Sequence, residues 1–513
     1  MPVRLPLPSQ LPPDTQQCHE LISELVRDIE QYQNRIDYLT RRLFGRSSER
    51  IDPGELTFFG DANFPGAEVE EEPAPQEGEE TEKPPKKPPR RNGRRRLPKD
   101  LPRKRVEHDV SDEEKVCCEC GCDKKRIGED TSEQLEYIPA SLFVIEHVRP
   151  KYACPQCRGQ VVQGEKPAQP IEKGLAGPGL LAHVITNKYC DHLPLHRQES
   201  IFARHGVDLS RKTLCDWVMQ SAWLLEPVVK AMRHEVLKSY SIHSDDTPVP
   251  VQDCGKTHRA YLWVYIGDTQ HPYTIYDFTW TRSRDGPLKF LEGYKGHLQA
   301  DAYSGYEPLY VGGDIKEAGC WAHARRKFFE AKQTAPVPAH QAMLHIKKLY
   351  SVEREAKEQM ARHGDDTDAA LAKRLSLRQE QAVPVLETLN VWLHEQQQHL
   401  LPKSPIAQAI QYTRNNWTAL LRYANDPRLE IDNNAAERAL RSVVVGRNNW
   451  LFTGSARGGR AAATLYSLIA TAKRHALDPF AYLRDLLART PTHPQSQIDN
   501  LFPDRWQQPG TKL

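Results

Sequence analysis

Two aspartates and one glutamate between residues 245 and 437 are the residues best suited to carry out chemistry. Asp245 lies in HSDDTPV, Asp301 in LQADAYSGY and Glu437 in DNNAAERALR. Carboxylates are almost never buried unless paired or metal-bound, and two that lie close together need a shared proton or a divalent cation. Three of them could hold two hard cations, Mg2+ or Mn2+, and activate a water or a 3′-hydroxyl for attack on a phosphodiester.

The elements around the two aspartates predict that they meet at one edge of a sheet. Three strand candidates, an amphipathic helix and a fourth strand follow residue 240: YSIHSDDTPVPVQ, HRAYLWVYIGD, PYTIYDFTW, GPLKFLEGY and GHLQADAYSGY. If the first and fourth strands are parallel neighbours, Asp245 and Asp301 emerge from the same edge. This element order is that of an RNase H-like α/β core, which we assign to residues 241–331 and 426–490.

The glutamate is predicted to come from a later helix. Asp432 can cap a helix that begins at Asn433, which puts Glu437 on the second turn and Arg441 one turn later, in position to hold the glutamate. Glu437 would then be the third metal ligand. The alternative is an exposed ion pair between Glu437 and Arg441, worth less than ~1 kcal/mol.

Six of the eleven cysteines cluster between residues 117 and 157, a pattern typical of metal binding in a reducing compartment. Cys117 and Cys120 form one C-x2-C knuckle, and Cys154 and Cys157 form the other. The residues between the knuckles alternate apolar and polar, as the strands of a hairpin do. Residues 106–168 therefore predict a β module that binds Zn2+ through four thiolates.

The first knuckle has an alternative pair of ligands, Cys118 and Cys122. Cys117 and Cys120 are favoured because Gly121 then follows the second ligand, where a tight turn is needed. The zinc could also have a structural role alone.

Residues 1–51 predict a coiled-coil helix. Apolar residues recur there in steps of four and three: Cys18, Ile22, Leu25, Ile29, Tyr32, Ile36, Leu39 and Leu43. This seam predicts a homodimer or a larger homo-oligomer. The alternative is a single amphipathic helix that packs on its own domain.

Residues 52–105 predict a disordered linker, because neither its acidic nor its basic half can bury a core. The basic half, KPPKKPPRRNGRRRLPKDLPRKR, has twelve Lys or Arg and one Asp. Its Arg94, Arg95 and Arg96 are typical of an arm that contacts DNA phosphates, although charge runs also serve solubility alone.

Helices are predicted on both sides of the first part of the core. Residues 169–240 contain RQESIFARHGVDLSRKTLCDWV, which has the layout of a DNA-binding helix-turn-helix but also that of an ordinary pair of helices. Residues 332–425 predict an all-helical insertion between the second aspartate and the glutamate. Residues 491–513 form a C-terminal tail.

Further cations near the predicted core are candidates for contact with DNA phosphates: Arg325, Arg326, Lys327, Arg438, Arg441 and Arg447. The stretch GCWAHARRKFFEA also places Cys320 and His323 at C-x2-H spacing. Two ligands make only half of a metal site, so a structural role for this pair is favoured.

Length and composition set the broad class. A chain of 513 residues predicts roughly three or four units, and its net charge of +2 hides strong local asymmetry. Neither a signal peptide nor a membrane-spanning run is present in the sequence. We therefore expect a multidomain α+β protein of the cytoplasm.

The motifs quoted above, together with VVGRNNWLFTGSARGG, LFGRSSE and ALDPFAYLRDLL, resemble those of the IS66-family insertion-sequence transposases over nearly the whole chain. The resemblance implies a bacterial, nucleoid-associated DDE transposase that cleaves element ends and joins the freed 3′-hydroxyl to target DNA. It implies that Asp245, Asp301 and Glu437 are the DDE residues. The family usually has Asp-Glu where this chain has Asp245 and Asp246, which favours Asp245 as the ligand.

The resemblance also implies accessory proteins encoded by the same element. Two other functions stay open from the residues alone. One is a zinc-containing DNA-binding regulator with an inactive core, and the other is a structure-specific nuclease that cuts without joining.

Overall fold

The computed structural model describes residues 99, 101–117, 119, 122–138, 141–156, 161–253, 255–363, 367–397 and 400–507. All of these belong to one unit, Leu97–Leu513. The predicted coiled-coil helix and nearly all of the predicted linker lie outside the described residues. The predicted site residues that lie outside them are Arg94, Arg95, Arg96, Cys120 and Cys157.

The cysteine-containing region forms a long antiparallel ribbon with two short strands beside it. The strands are β1 Arg103–Glu107, β2 Lys125–Ile138, β3 Ser141–Ala153 and β4 Val162–Gln163. Leu135 pairs with Val144, and both are fully buried, as the apolar alternation predicts. β1 lies parallel to β3 and begins inside the segment whose composition predicts a linker.

Three helices follow the ribbon: α1 Pro178–Tyr189, α2 Leu195–Arg204 and α3 Arg211–Val236. Gly206, with φ of +77°, forms the turn after α2, where a left-handed residue is needed. The Ser210 hydroxyl caps α3 by accepting from the Thr213 amide at 3.2 Å. The buried face of α3 belongs to the same hydrophobic core as the second sheet, so the two helices are not a separate module.

The second sheet has five strands in the order β7-β6-β5-β8-β9. They are β5 Ser241–Asp253, β6 Lys256–Ile266, β7 Thr274–Thr279, β8 Gly296–Gln299 and β9 Ile315–Ala318. β6 is antiparallel to both β5 and β7, whereas β8 is parallel to both β5 and β9. Two short helices, α4 Asp285–Phe290 and α5 Glu307–Tyr310, lie in the connections on either side of β8.

A helical lobe with its own core interrupts the chain after β9. Its helices are α6 Trp321–Ala331, α7 Pro336–His363, α8 Asp368–Leu377, α9 Val383–Gln397, α10 Pro405–Asn415 and α11 Trp417–Asn425. A π-helical turn, Arg378–Ala382, joins α8 to α9. Buried apolar side chains from these helices, including Trp321, Phe328 and Leu389, form a cluster separate from that of the sheet.

The last three long helices return to the sheet: α12 Asn434–Trp450, α13 Ala456–Arg474 and α14 Pro479–Arg489. α12 packs against β5 and β6, α13 against β7, and α14 against α1. Ser467 of α13 accepts a hydrogen bond from the Tyr276 amide on β7 at 2.8 Å. Among the helices of the described residues, none is long and apolar enough to span a membrane.

Candidate active site

The parallel pairing of β5 with β8 brings Asp245 and Asp301 to the same edge of the sheet. His243 of β5 is in register with Gln299 of β8, and each aspartate lies two residues beyond its member of that pair. Because parallel strands run in the same direction, both chains leave the paired region on the same side. The structure therefore makes neighbours of two aspartates that are 56 positions apart in the sequence.

Asp245 lies in an environment that disfavours its charge. Burial raises the pKa of Asp245 to about 7, and the negative charges of Asp301, Asp246 and Glu437 act in the same direction. The backbone amide of Asp246 opposes this shift by donating to Asp245 Oδ1 at 2.8 Å. A carboxyl group whose charge is disfavoured by neighbouring carboxylates gains most from a nearby cation.

Asp246 has a partner that the sequence analysis did not identify. Arg282, three residues after β7, donates to the Asp246 carboxylate through Nε and Nη2 at 2.8–3.0 Å. The same guanidinium lies 3.9 Å from Asp301 Oδ2 and 4.3 Å above the Tyr303 ring. Among the described contacts at this edge, the arginine thus bonds directly to Asp246, whereas Asp245 has no such bond and Asp301 has only the longer 3.9 Å contact.

Glu437 lies near the start of α12. The helix begins at Asn434, one residue later than predicted, so Glu437 is on its first turn and not its second. The Asp432 carboxylate accepts from the Asn434 amide at 3.0 Å, so it caps the helix from one position earlier than the N-cap residue, Asn433.

Asn433 connects the start of α12 to β5. Its side chain is fully buried; it donates to the Ser244 carbonyl at 2.8 Å and accepts from His243 Nδ1 at 3.1 Å. Its backbone amide donates to Cys320 Sγ at 3.2 Å. The sequence puts Asn433 near Glu437 but does not reveal its role, because its side-chain partners are 189 and 190 positions away.

Two side chains of α6, a histidine and an arginine, contact Glu437. His323 Nε2 lies 3.4 Å from Glu437 Oε1, and Arg326 Nη2 lies 3.3 Å from Oε2. Burial lowers the pKa of His323, while the charge of Glu437 opposes this shift. The sequence predicted contact with DNA for Arg326, and the structure adds this carboxylate partner.

Cys320 and His323 have separate partners in the described structure. Cys320 is buried, and burial raises the pKa of its thiol to about 12, so the protonated form is strongly favoured. Its sulfur accepts from Asn433, whereas His323 contacts Glu437. These contacts agree with the structural role that the sequence analysis favoured for Cys320.

The three carboxylates influence one another electrostatically, but they do not form a ready metal cage. Within the residues that the structure describes, no three His, Cys, Asp or Glu side chains are grouped closely enough to hold a metal ion. Glu437 is instead held by His323 and Arg326. The site has the carboxylates that hard cations prefer, but His323 and Arg326 are the described partners of Glu437.

The other predicted DNA-contacting cations differ in their surroundings. Arg438 and Arg441 are exposed on α12. Lys327 lies 4.7 Å above the Tyr412 ring, and Arg325 is half-buried. The Arg447 guanidinium donates to the Pro248 carbonyl on β5, which gives this arginine a structural contact.

The described cysteines of the predicted zinc-binding β module, Cys117, Cys122 and Cys154, lie near one end of the β2–β3 ribbon. Lys125, at the start of β2, pairs with Ala153, the residue before Cys154. Cys117 and Cys154 are both buried. Cys122 Sγ donates to Gln156 Oε1 at 3.1 Å, which connects the two knuckle regions.

Comparison with known families finds similarity along most of the chain. Residues 173–461 match the "Transposase IS66 family", residues 114–158 the "zinc-finger binding domain of transposase IS66", and residues 467–503 the "IS66 C-terminal element". Residues 31–106 match "Transposase C of IS166 homeodomain".

Individual relatives come from Sinorhizobium fredii. Uncharacterized protein y4jD is 33% identical over 519 residues, which is 97% of this chain and 97% of the relative. Uncharacterized protein y4hP is 35% identical over 434 residues, covering 80% of this chain and 76% of the relative. The similarity to y4jD therefore extends over nearly all of this sequence as well as over single domains.

Proposed function

This chain belongs to the IS66 transposase family, and we propose that it cuts DNA at the ends of an insertion sequence and joins the freed 3′-hydroxyl to target DNA. Asp245, Asp301 and Glu437 are the proposed DDE residues. The observation that carries this proposal is the parallel β5–β8 pair, which puts both aspartates at one sheet edge beside the helix of Glu437.

The core is proposed to be RNase H-like. Three antiparallel strands followed by two parallel strands, in the order β7-β6-β5-β8-β9, support this assignment. α12 packs against β5, the central strand, and so brings Glu437 toward the aspartates from outside the sheet.

The donor set fits Mg2+ or Mn2+, because both ions prefer carboxylate oxygens. Asp245, Asp301 and Glu437 would hold the cations. The pKa of Asp245 is raised by burial first and by the neighbouring carboxylates second, and a bound cation would relieve both effects. When bound, such ions activate the attacking oxygen and stabilise the leaving oxygen of a phosphodiester.

Arg282 and Arg326 are proposed to balance the negative charge of the carboxylates at the site. Arg282 keeps Asp246 neutralised, so that Asp246 does not compete with Asp245. Arg326 is exposed and lies against Glu437, so it can transfer its contact from the carboxylate to a DNA phosphate as Glu437 moves toward the aspartates. DNA binding would then favour assembly of the three carboxylates.

The cysteine module is proposed to bind Zn2+ through Cys117, Cys120, Cys154 and Cys157. Burial of Cys117 and Cys154, together with the β2–β3 register, supports this donor set, as does the match to the zinc-finger family over residues 114–158. Its proposed role is recognition of the element ends together with Arg94, Arg95 and Arg96. Synapsis of two ends would require at least a dimer, and accessory proteins of the same element are further proposed partners.

The test is a cleavage and strand-transfer assay on DNA that carries the ends of the element, with Mg2+. Asp245→Asn and Glu437→Gln should retain end binding and lose cleavage by at least about a thousandfold, because each removes a proposed metal ligand. Glu292→Gln, which alters an exposed carboxylate outside the site, is the matched control.

The outcome separates the three functions. Cleavage followed by joining supports the transposase. Cleavage without joining supports the nuclease, and binding without cleavage by the wild-type protein supports the regulator. Full cleavage by Glu437→Gln would remove that residue from the site.

A further inference from the structure

A cluster of buried charges lies inside the helical lobe. Glu353 is on α7, Arg374 on α8, and Arg378 opens the π-helical turn; their side chains are 4%, 4% and 0% exposed. Glu353 accepts from Arg378 Nε at 2.6 Å and from Nη2 of both arginines at 2.9 Å. One carboxylate and two guanidiniums leave a net positive charge, so the remaining donors need other acceptors.

Those acceptors lie on a single stretch of chain, residues 423–433, here called the approach segment because it leads from the end of α11 into α12. Arg378 donates to the carbonyls of Tyr423 at 2.6 Å, Asp426 at 2.8 Å and Leu429 at 2.9 Å. With its two bonds to Glu353, every N–H of this guanidinium has an acceptor.

Arg374 extends the same pattern by two contacts. It donates to the Pro427 carbonyl at 3.1 Å and to Glu430 Oε1 at 3.0 Å. Lys357 of α7 binds the other Glu430 oxygen at 2.9 Å. Burial opposes ionisation of Glu430, but Arg374 and Lys357 outweigh it and lower the pKa of Glu430 to about 2, so this contact stays charged at working pH.

The C-terminal end of the approach segment is bonded both to the last residue of β8 and to α7 of the helical lobe. Gln299, two residues before Asp301, donates to the Glu430 carbonyl at 2.6 Å. The Tyr350 hydroxyl of α7 donates to Asp432 Oδ2 at 2.9 Å. Asp432 in turn caps α12, and Glu437 lies on the first turn of that helix.

We propose that Glu353, Arg374, Arg378 and Tyr350 are positioning residues, which fix the approach segment and through it the backbone of the first turn of α12, from which the Glu437 side chain reaches Asp245 and Asp301. The inference rests on the proposed role of Glu437 as the third metal ligand. It gives the helical lobe a function at the active site. Every N–H of Arg378 and both oxygens of Glu353 are bonded in this buried network, which favours one arrangement of the chain. Reacting groups typically lose about 100-fold in rate when they are displaced by about 1 Å.

The test uses two substitutions of graded severity in the full-length protein. Tyr350→Phe removes one hydroxyl without changing shape, and Arg374→Gln removes the contacts with Pro427 and Glu430. The matched controls are Tyr482→Phe, which loses a buried bond to the Leu501 carbonyl, and Arg474→Gln, which loses bonds to the carbonyls of Tyr273, Gly267 and Asp268. Among the described contacts, neither control residue bonds to the approach segment.

The first readout is amide hydrogen exchange in residues 429–437 without added divalent metal. Both test variants should exchange faster there by about tenfold or more, whereas the controls should change exchange only around their own sites. This readout does not depend on catalysis. Unchanged exchange at 429–437 in Tyr350→Phe and Arg374→Gln would overturn the proposal, and if Arg374→Gln does not fold, Tyr350→Phe decides alone.

The second readout is titration with Mn2+ and single-turnover cleavage of end DNA. The test variants should bind Mn2+ at least about fivefold more weakly and cleave more slowly at saturating DNA, with unchanged end affinity and a loss of melting temperature no larger than that of the controls. Mn2+ affinity and cleavage equal to those of the controls would contradict a positioning role. If wild-type protein and Glu437→Gln bind Mn2+ equally, the proposed function fails, while the exchange result still decides whether the lobe holds the segment.

Discussion

Asn433 donates a hydrogen bond from its side-chain amide to the backbone carbonyl of Ser244, at 2.8 Å across 189 positions of sequence. Ser244 precedes Asp245 on β5, and Asn433 is the N-cap of the helix whose first turn carries Glu437. This bond therefore joins the two elements that hold two of the three proposed metal ligands. Its burial means that water cannot replace either partner.

Asn433→Ala should lower both stability and cleavage. The substitution leaves the Ser244 carbonyl and His243 Nδ1 without their buried partner, which we expect to cost about 1–3 kcal/mol of the free energy of unfolding. Cleavage of end DNA should fall by at least about tenfold at a temperature where the variant is fully folded, because the start of α12 loses its bond to β5. Thermal unfolding and single-turnover cleavage measure the two effects.

The matched control is Asn434→Ala, whose side-chain bond to Asp432 lies within the same turn. It should reduce cleavage less than Asn433→Ala does. Equal effects of the two substitutions would show that the bond between Asn433 and β5 has no special importance.

The stability of the protein should depend on pH through Asp245. Its pKa is about 7 in the folded protein and near 4 when unfolded, so the neutral form favours folding. The stabilising contribution is fully present below the unfolded pKa and is lost as pH rises through about 7. In Mg2+-free buffer, Asp245→Asn should therefore be as stable as wild type near pH 4 and more stable above pH 7, by about 2 kcal/mol.

This gain is smaller than the roughly 4 kcal/mol that three pKa units represent, because the carboxyl group is partly solvated. Chemical unfolding of both proteins from pH 4 to pH 8 measures it, with the exposed Asp314→Asn as control. A constant difference across this range, or a less stable Asp245→Asn at pH 8, would contradict the prediction.

Arg282 and Asp246 should be energetically coupled. Arg282→Gln leaves the Asp246 carboxylate buried without its cation, so stability should fall and cleavage should drop by about 10–100-fold. Adding Asp246→Asn should restore part of the stability. A double-mutant cycle on the free energy of unfolding should give a coupling of roughly 1–3 kcal/mol, and strictly additive effects would refute the pairing.

The zinc assignment predicts which cysteines matter. Cys154→Ser and Cys120→Ser should lose bound zinc, as measured by elemental analysis, whereas Cys122→Ser should keep it. End binding should weaken in the first two variants more than strand transfer from pre-cut ends changes. Zinc loss in Cys122→Ser together with zinc retention in Cys120→Ser would favour the alternative ligand pair.

The sequence predicted the parts of the site that depend on local pattern. Alternation and turn residues predicted β5 and β8. The aspartates Asp245 and Asp301 indicated where these two strands leave their paired region at one edge of the sheet. The strand β9, IKEA, was missed because it is apolar only at its two ends and so shows no alternation. The start of α12 was placed one residue early, which is the usual uncertainty of a helix boundary.

The contacts that control the carboxylates could not be predicted, since each joins residues distant in the chain. Arg282 and Arg326 look like ordinary surface cations in the sequence, and only the fold brings them to Asp246 and Glu437. The helical lobe was predicted as an all-helical insertion, but nothing in its sequence indicated its function. In the sequence, Glu353 and Arg378 cannot be distinguished from the charged residues of an exposed helix face. Only the fold shows that both are buried beneath the approach segment.

The most direct test of metal binding by the three carboxylates is a change of metal preference in Asp301→Cys, with Asp301→Ser as control. A thiolate is a poor ligand for Mg2+ and an acceptable one for softer ions such as Mn2+. We predict that Asp301→Cys loses cleavage of end DNA in Mg2+ by at least about a thousandfold and regains a measurable part of it in Mn2+, whereas Asp301→Ser stays inactive in both. Cleavage by Asp301→Cys at the wild-type rate in Mg2+ would contradict the account, because Asp301 would then not be a metal ligand.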